Sequence, residues 1–125
     1  MNWAVILAAL ALFGCSLGSD QPAQVIVGAT LVDGSSRPPV ERSVVVVRKG
    51  VIIGLGVEGT VEIPQDATRY NGAGKWVFPL DPAQTLKVGA AADLLLLRVN
   101  PALDPEYAAK AAGRMEGGHW VKFPQ

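Results

Sequence analysis

Apolar residues along the chain occur in short runs that are separated by glycine, proline and polar clusters. Such runs are typical of β-strands, because the apolar stripe of an amphipathic helix would instead recur every three or four positions. The pattern predicts strands over residues 25–27 continuing through 29–32, and over residues 43–47, 51–55, 69–71, 76–78 and 94–97. This alternation of strands and turns indicates a mainly β domain.

Individual residues refine these strands. Gly28 predicts a bulge or a close backbone approach in the first strand, and Gly50 can supply the positive φ of a tight hairpin turn. Four leucines at 94–97 could form a helix or a strand, but the brevity of the run and its small flanking residues favour a strand. Residues 104–112 are a helix candidate, and residues 115–121 predict a closing hairpin around a Gly-Gly pair.

Two of the runs, residues 44–47 and 94–97, are apolar at every position. A strand that is covered on one face only should alternate between apolar and polar residues. We therefore expect both strands to be covered on both faces. Two explanations stay open at this point: they are central strands with partly exposed side chains, or a neighbouring domain or partner is missing from this chain.

Composition narrows the picture to one small domain. The 125 residues allow a single compact unit, which we predict to be a small, antiparallel-rich β-sandwich over residues 24–123 with at most one short helix. A formal net charge of zero and a pI near 6.6 argue against binding of nucleic acid. The single cysteine excludes an intramolecular disulfide.

The first residues differ in character from the rest. Residues 3–13 form an unbroken apolar run, and no ionisable side chain precedes Asp20. The run is shorter than the roughly 20 residues that span a bilayer, and it matches the apolar region of a secretory signal peptide. We therefore expect residues 1–14 to be a signal peptide.

Cys15 follows directly, and residues 12–15 resemble the lipobox of bacterial lipoproteins. The resemblance implies that Cys15 is lipidated and anchors the chain in a membrane of the bacterial cell envelope, facing the periplasm or the exterior. Residues 15–23 are then the lipidated cysteine and a flexible tether. An ordinary cleaved signal and an uncleaved anchor with a buried structural cysteine are the alternatives.

Several segments, in order, resemble the metal-dependent amidohydrolases. Those similar to the N-terminal strands of this family are residues 29–34, 45–52, 54–56, 63–64 and 71–79, and those similar to its C-terminal strand and last hairpin are residues 86–97, 100–101 and 114–121. In the family, these two sets combine into a composite β-sandwich beside a catalytic (β/α)₈ barrel that lies between them in the chain. The resemblance therefore implies an amidohydrolase-like composite domain.

The barrel itself is missing from this sequence. Residues 80–85 stand where it would lie, whereas a (β/α)₈ barrel needs roughly 250 residues. The chain thus resembles an amidohydrolase that has kept its sandwich and lost its catalytic domain. An apolar surface that once faced the barrel could then bind a protein partner.

The family uses zinc or another divalent metal, held by several histidines and an aspartate. Three or four ligands must converge on such an ion, and His119 is the sole histidine here. We therefore predict no cofactor, no metal site and no catalytic residue. Asp93 is expected to be structural, with its carboxylate accepting backbone N–H groups at a turn, and His119 is expected to lie at the surface or at a hairpin edge.

Two glycine motifs have superficial matches to nucleotide sites. The turn at residues 72–75 lacks the spacing of a P-loop and a following helix, and residues 54–59 match a dinucleotide fingerprint without the helix that it requires. Ser35 and Ser36 fit a loop without a further role. No Ser-His-Asp arrangement can be assembled around His119.

Three functions remain open. The first is an exported, non-catalytic accessory or interaction module, anchored to the membrane through Cys15. The second is amidohydrolase-type hydrolysis of C–N bonds with a barrel supplied by another chain or in a full-length relative. The third is a deletion remnant without function.

Overall fold

The β-branched and leucine-rich runs form strands in the computed structural model, which describes residues 21–124. Within these residues there are nine strands and one 3₁₀ turn, η1, at Tyr107–Lys110. The strands are β1 Gln24–Val27, β2 Thr30–Leu31, β3 Ser43–Arg48, β4 Val51–Val57, β5 Thr68–Asn71, β6 Trp76–Pro79, β7 Leu94–Leu97, β8 Ala111–Glu116 and β9 His119–Lys122.

The strands assemble into two sheets that pack face to face. The first sheet has the order β4-β3-β1-β5, and the second has the order β2-β6-β7-β8-β9. Most neighbours are antiparallel, but β1 pairs with β5 and β2 pairs with β6 in parallel. The predicted small, mainly β sandwich is confirmed.

The first predicted strand is divided between the two sheets. Gly28, with φ of 94°, donates its N–H to Ser43 O at 2.8 Å in the first sheet, and Thr30 donates to Lys75 O at 2.9 Å in the second. The prediction of one strand through residue 32 was therefore wrong. Because Gly28 reaches a backbone region that side-chain-bearing residues avoid, the chain can leave one sheet and join the other within two residues.

Both predicted hairpins are present. Lys49 and Gly50 have φ of 54° and 80° and connect β3 to β4, and Gly117 and Gly118 connect β8 to β9 with φ of 56° and 81°. Positive φ at both central residues is the two-residue turn whose twist matches that of paired strands.

The predicted helix over residues 104–112 was wrong in extent. Only Tyr107–Lys110 forms a single 3₁₀ turn, and Ala111 and Ala112 are already part of β8. Leu97 of β7 pairs with Ala111, so strand pairing and burial of two alanines outweigh their helix propensity. A helix this short gains too little from its own hydrogen bonds to compete.

The main core lies between the sheets. Its buried members come from strands of both sheets and from three loop positions: Ile26, Leu31, Val45, Val47, Ile52, Val77, Leu94, Leu96 and Met115 from the strands, and Ala29, Leu86 and Ala92 from the loops. On one side of the sandwich, Tyr70 of β5 and Trp120 of β9 close the gap between the sheets, with ring centroids 5.2 Å apart in an edge-to-face arrangement.

The two fully apolar strands are buried on both faces, as predicted. Val44 and Val46 turn away from the main core and pack with Val25 beneath the loop that carries Val61 and Ile63. Leu95 and Leu97 turn away on the other sheet and pack against a separate set: Trp76, Phe78, Leu80, Tyr107 and Ala111. The cover on both outer faces comes from segments of this same chain.

Candidate functional site

Asp93 has the structural role that the sequence predicts. Its Oδ1 accepts the N–H of Gly117 at 2.7 Å, and its backbone carbonyl accepts the N–H of Leu80 at 3.0 Å. Asp93 therefore connects the β8–β9 turn to the end of β6. The turn that it serves lies 24 residues further along the chain, a distance that sequence reasoning could not supply.

His119 is exposed at the start of β9, as predicted for a hairpin-edge residue. It lines a shallow cavity of about 320 Å³ together with Gln21, Lys49 and Gly117. Within residues 21–124, no group of three or more His, Cys, Asp and Glu side chains is arranged to hold a metal ion. The cavity lies at the junction of two hairpin tips, Lys49–Gly50 and Gly117–Gly118.

The glycine motifs serve packing and turns. Val61 Cγ atoms lie 2.9 Å from where a Cβ would stand on Gly54 or on Gly56, so both glycines make room for the covering loop. The other motif is the turn at residues 72–75, where Ala73 donates its N–H to Asn71 Oδ1 at 2.9 Å. This turn leads into strand β6 and not into a helix. Neither motif has the helix that phosphate binding requires.

Residues 80–85 form a compact turn at the end of β6. Ala83 donates its N–H to Asp81 Oδ1 and Gln84 donates to Asp81 O, each at 2.9 Å. The turn packs so closely on Gly34 that a Cβ there would lie 2.4 Å from Gln84 O. After it, Leu86 donates to Asp33 O at 2.8 Å, so the chain continues directly along the sandwich.

The two strands that flank this turn are neighbours. Pro79, the last residue of β6, is the register partner of Leu94, the first residue of β7. The position at which the resemblance places a barrel is therefore occupied by residues 80–93, which connect two paired antiparallel strands.

A cleft lies on the open side of the sandwich, between the edges of β4 and β2. It has a volume of about 500 Å³. Its lining is Leu31, Asp33, Arg37, Pro38, Pro39, Val40, Glu41, Leu55, Gly56 and Val57. We name this feature the edge cleft. Because these residues come from two separate parts of the chain, 31–41 and 55–57, the apolar positions of β4 were the only indication of the cleft in the sequence.

One wall of the edge cleft is an ordered loop. Asp33 Oδ1 accepts the N–H of Ser35 at 2.8 Å and its hydroxyl at 2.6 Å, and Asp33 Oδ2 lies 3.7 Å from Arg37 Nε. Val40 and Leu31 exchange backbone hydrogen bonds of 2.8 and 2.9 Å beyond these residues. The wall is thus held on the edge of the second sheet, and Ser35 has a loop role as predicted.

The opposite wall is the outer edge of β4 near Leu55, on the side away from β3. Ser43 exchanges its hydrogen bonds with Gly28 and Ala29 on the far side of β3, so the next residue, Val44, faces β4 and pairs with Gly56. Because backbone groups alternate in direction along a strand, the N–H and C=O of Leu55 point out of the sheet edge. Outside the strand ladders, no backbone hydrogen bond within residues 21–124 involves either group.

Exposed large hydrophobic side chains occur in three places within residues 21–124. Val51, Ile53 and Val57 lie on β4 with Val88 in the loop beside it, Leu103 lies in the loop after β7, and Val121 and Phe123 lie at or beyond β9. Cys15, the predicted lipidation site, lies outside the described residues. No helix within residues 21–124 is long and apolar enough to cross a membrane.

No protein-family model matches the sequence, and no curated protein matches it significantly. Parts of solved amidohydrolase-family enzymes are similar to about half of the chain. A molinate hydrolase is 30% identical over 47% of this chain, with a TM-score of 0.43. An N-acyl-D-glutamate deacylase from Bordetella bronchiseptica, solved with zinc and a phosphonate inhibitor, is 28% identical over 49%, with a TM-score of 0.38.

A D-hydantoinase from Thermus sp. is 21% identical over 46% of this chain, with a TM-score of 0.36. In each case the matched part is a small fraction of the other protein: 13% of the molinate hydrolase, 12% of the deacylase and 11% of the hydantoinase. The chain is therefore similar to one small part of these enzymes.

Proposed function

We propose that this chain is an exported, amidohydrolase-related protein that lacks a catalytic barrel and acts as a non-catalytic interaction module. The observation that carries the proposal is the closed connection between β6 and β7. Residues 80–85 form a hydrogen-bonded turn, and Pro79 and Leu94 are paired in register immediately beside it. The sandwich is therefore complete at the point where the family resemblance would insert a barrel.

The scarcity of histidines that could bind a metal supports a non-catalytic role. Activation of water by a divalent ion requires three or four convergent protein ligands. The sequence has one histidine, and this residue lies at a hairpin junction with Lys49 beside the same cavity. Asp93, which lies within the segment 86–97 that resembles the family, accepts the N–H of Gly117 with its carboxylate.

The edge cleft is the proposed partner site. The N–H and C=O of Leu55 point out of the edge of β4, and Val40 and Val57 supply apolar surface beside it. An extended segment of a partner protein could pair with this edge and place alternate side chains in the cleft. Main-chain pairing would then supply affinity, and the apolar walls would supply selectivity.

The location of the module follows from its N-terminal sequence. Residues 1–14 would act as a signal peptide, and acyl chains on Cys15 would hold the protein in the bacterial cell envelope. A membrane-held domain with a peptide-binding edge can recruit a partner without performing chemistry itself.

A crosslinking experiment tests the partner site. A photoreactive amino acid at position 57 should capture a specific envelope protein, whereas the same probe at position 121 should not, since both positions are exposed but Val121 lies on the far edge strand. Val57→Asp should abolish capture from a probe at position 41, where Glu41 is exposed and lines the cleft, and Val121→Asp should leave it intact. Equal capture from positions 57 and 121 would contradict the edge cleft as the binding site.

A parallel measurement tests the absence of catalysis. The purified chain should contain no stoichiometric divalent metal and should not hydrolyse amide or cyclic-amide substrates. A bound zinc ion with turnover would overturn the non-catalytic role. If the crosslinked partner is a barrel protein and hydrolysis appears only in the complex, the second function, catalysis with a barrel from another chain, replaces this proposal.

A further inference from the structure

The described chain begins at one end of the β3–β4 hairpin. Gln21 O accepts a hydrogen bond from Arg48 Nη1 at 3.1 Å, and Gln21 lines the same cavity as Lys49 and the Gly117–Gly118 turn. The N-terminal end of the described residues, Gln21, therefore lies at this end of the molecule.

Three exposed aliphatic side chains occur at the same end. Val51 is 36% exposed, Ile53 is 45% exposed and Val88 is 61% exposed. Ile52, between the first two, donates its N–H to Ala90 O at 2.9 Å and accepts the N–H of Gly89 at 2.8 Å. This pairing fixes the turn that carries Val88 beside the beginning of β4.

Two lysines border these side chains. Lys49 lies in the hairpin turn and Lys87 begins the turn that carries Val88, and both are exposed. Neither has an ion-pair partner among the described residues. We name Lys49, Val51, Ile53, Lys87 and Val88 the tether-side patch.

Two neighbouring charged groups have partners outside the patch. Arg48 pairs with Asp66 at 2.9 Å, and the carboxylate of Asp93 accepts the N–H of Gly117. Lys49 and Lys87 are the charged members of the tether-side patch itself, so the charge of the patch is positive. Aliphatic side chains bordered by lysines are the combination that binds the interface of a membrane containing anionic lipid.

We infer that the tether-side patch docks on the surface of the bilayer. This inference rests on the proposed lipid attachment at Cys15. Six residue steps separate Cys15 from Gln21, and an extended chain of that length spans at most about 20 Å. An acylated Cys15 would keep the patch within reach of the headgroups, where its aliphatic side chains enter the interface and Lys49 and Lys87 meet anionic phosphates.

Docking in this way orients the edge cleft. Val57 lies six residues beyond Val51 along β4, and a strand rises about 3.3 Å per residue. The far end of the cleft, at Val57, therefore lies about 20 Å from Val51, whereas its near end, at Leu55, lies two residues beyond Ile53, about 7 Å from the patch. A membrane-held chain would present the Val57 end of the cleft away from the bilayer, where a partner can reach it.

Lysine labelling on vesicles tests the docking. The full lipidated chain is reconstituted into vesicles of phosphatidylcholine with phosphatidylglycerol, and each lysine is acetylated with a water-soluble reagent before and after detergent dissolves the vesicles. Labelling of Lys49 and Lys87 should be slower on vesicles by about three-fold or more, because interfacial contact and anionic lipid both restrict access. Lys110, which is on the 3₁₀ turn, is the internal control and should change little.

A charged substitution gives a matched comparison. Val88→Glu should restore labelling of Lys87 on vesicles, and Leu103→Glu, at a side chain that is 81% exposed, should not. Equal labelling of all lysines on vesicles and in detergent would overturn the docking while the anchor stands. Equal protection of Lys110 would also overturn it, because shielding would then not be specific to the patch.

The anchor is measured separately. Mass spectrometry of the peptide that begins at Cys15 reports whether acyl chains are attached. An unmodified Cys15 would overturn both the proposed anchoring and the docking that rests on it, whereas an acylated Cys15 with unprotected Lys49 and Lys87 would overturn the docking alone. Protection that is equally strong on vesicles of pure phosphatidylcholine would overturn the contribution of the two lysines.

Discussion

The outer faces of the two sheets are covered by two different kinds of segment. On the first sheet, Val44 and Val46 are each 1% exposed beneath an aliphatic loop, and Val61 fills the space left by Gly54. On the second sheet, Leu97 is covered by aromatic side chains that include Tyr107 from the 3₁₀ turn. The cover of the first sheet is a loop whose aliphatic side chains pack directly on a glycine. The cover of the second sheet depends on aromatic rings near the surface.

The two covers show that a small sandwich can bury fully apolar strands on both faces with segments of its own chain, without a second domain. A loop that fits onto glycine gains dispersion contacts at close range. A surface segment with few buried residues of its own should open locally at a lower free energy. Within η1 itself, no residue is fully buried, so we expect the second cover to be the looser one.

The largest expected effect comes from a leucine beneath the looser cover. Leu97→Ala should lower the free energy of unfolding by about 2–5 kcal/mol, because Leu97 is fully buried and the site can relax only in part. Urea denaturation measures the change. Leu103→Ala is the control, since Leu103 is 81% exposed and should change stability by less than about 0.5 kcal/mol. Equal effects of the two substitutions would show that Leu97 is not covered.

A glycine substitution tests the tighter cover. Gly54→Ala should destabilise the chain by about 1–3 kcal/mol, because the new Cβ would stand 2.9 Å from Val61 Cγ1 and 3.3 Å from Val46 Cγ2. The sign is informative, since alanine in place of a strand glycine would otherwise be favourable. In a Val61→Ala background the loss should be smaller by at least about 0.5 kcal/mol. Additive losses would contradict the fit between loop and glycine.

The aromatic contact of the second cover has a smaller expected effect. Phe78 and Tyr107 meet edge to face with centroids 5.2 Å apart, a geometry worth about 0.5–1.5 kcal/mol beyond the buried area. Tyr107→Leu keeps much of the apolar volume and should cost about that amount in thermal or urea unfolding. In a Phe78→Leu background the cost should nearly vanish. If Tyr107→Leu costs the same in the Phe78→Leu background, the stabilisation by Tyr107 does not come from its contact with Phe78.

The smallest expected effect is a pH dependence of the stability contributed by Asp104, which lies beside the 3₁₀ turn. The hydrogen bond from Lys110, at 2.6 Å, and then the N–H of Glu106, lower the pKa of Asp104 below its ordinary value. A carboxyl with a lowered folded-state pKa contributes stability above its unfolded pKa of about 3.8, and this contribution is lost as the pH falls through the folded value.

The difference in stability between the natural chain and Asp104→Asn should therefore be present near neutral pH and shrink below about pH 4. Added salt should reduce it, because the pair is partly exposed. Denaturation at a series of pH values measures the difference. A gap that grows on acidification would contradict the role of the ionised carboxylate.

Local chemistry made several elements predictable from sequence. The valine run gave β3, the leucine run gave β7, and the glycines at positions 50 and 117–118 marked the two tight hairpins. Burial of both apolar strands on two faces was also predictable, since neither run alternates. The covering segments were not, because their apolar residues are too sparse to show a period.

The candidate site was predictable only in part. A turn-binding role for Asp93 follows from the chemistry of a carboxylate between small residues, and the structure confirms it. The edge cleft could not be predicted, since its walls join residues 31–41 to residues 55–57 through the pairing of separate strands. Lipidation of Cys15 stays a prediction from the sequence.

By itself, the sequence determined which stretches become strands and where tight turns fall, because periodicity and backbone preference are properties of consecutive residues. Tertiary structure alone decided that the chain changes sheets at Gly28, that Ala111 joins a strand, and that β5 and β2 pair in parallel with β1 and β6. These choices depend on hydrogen bonds and contacts between residues far apart in the chain. Their free energy outweighs the small local preferences that a sequence pattern records.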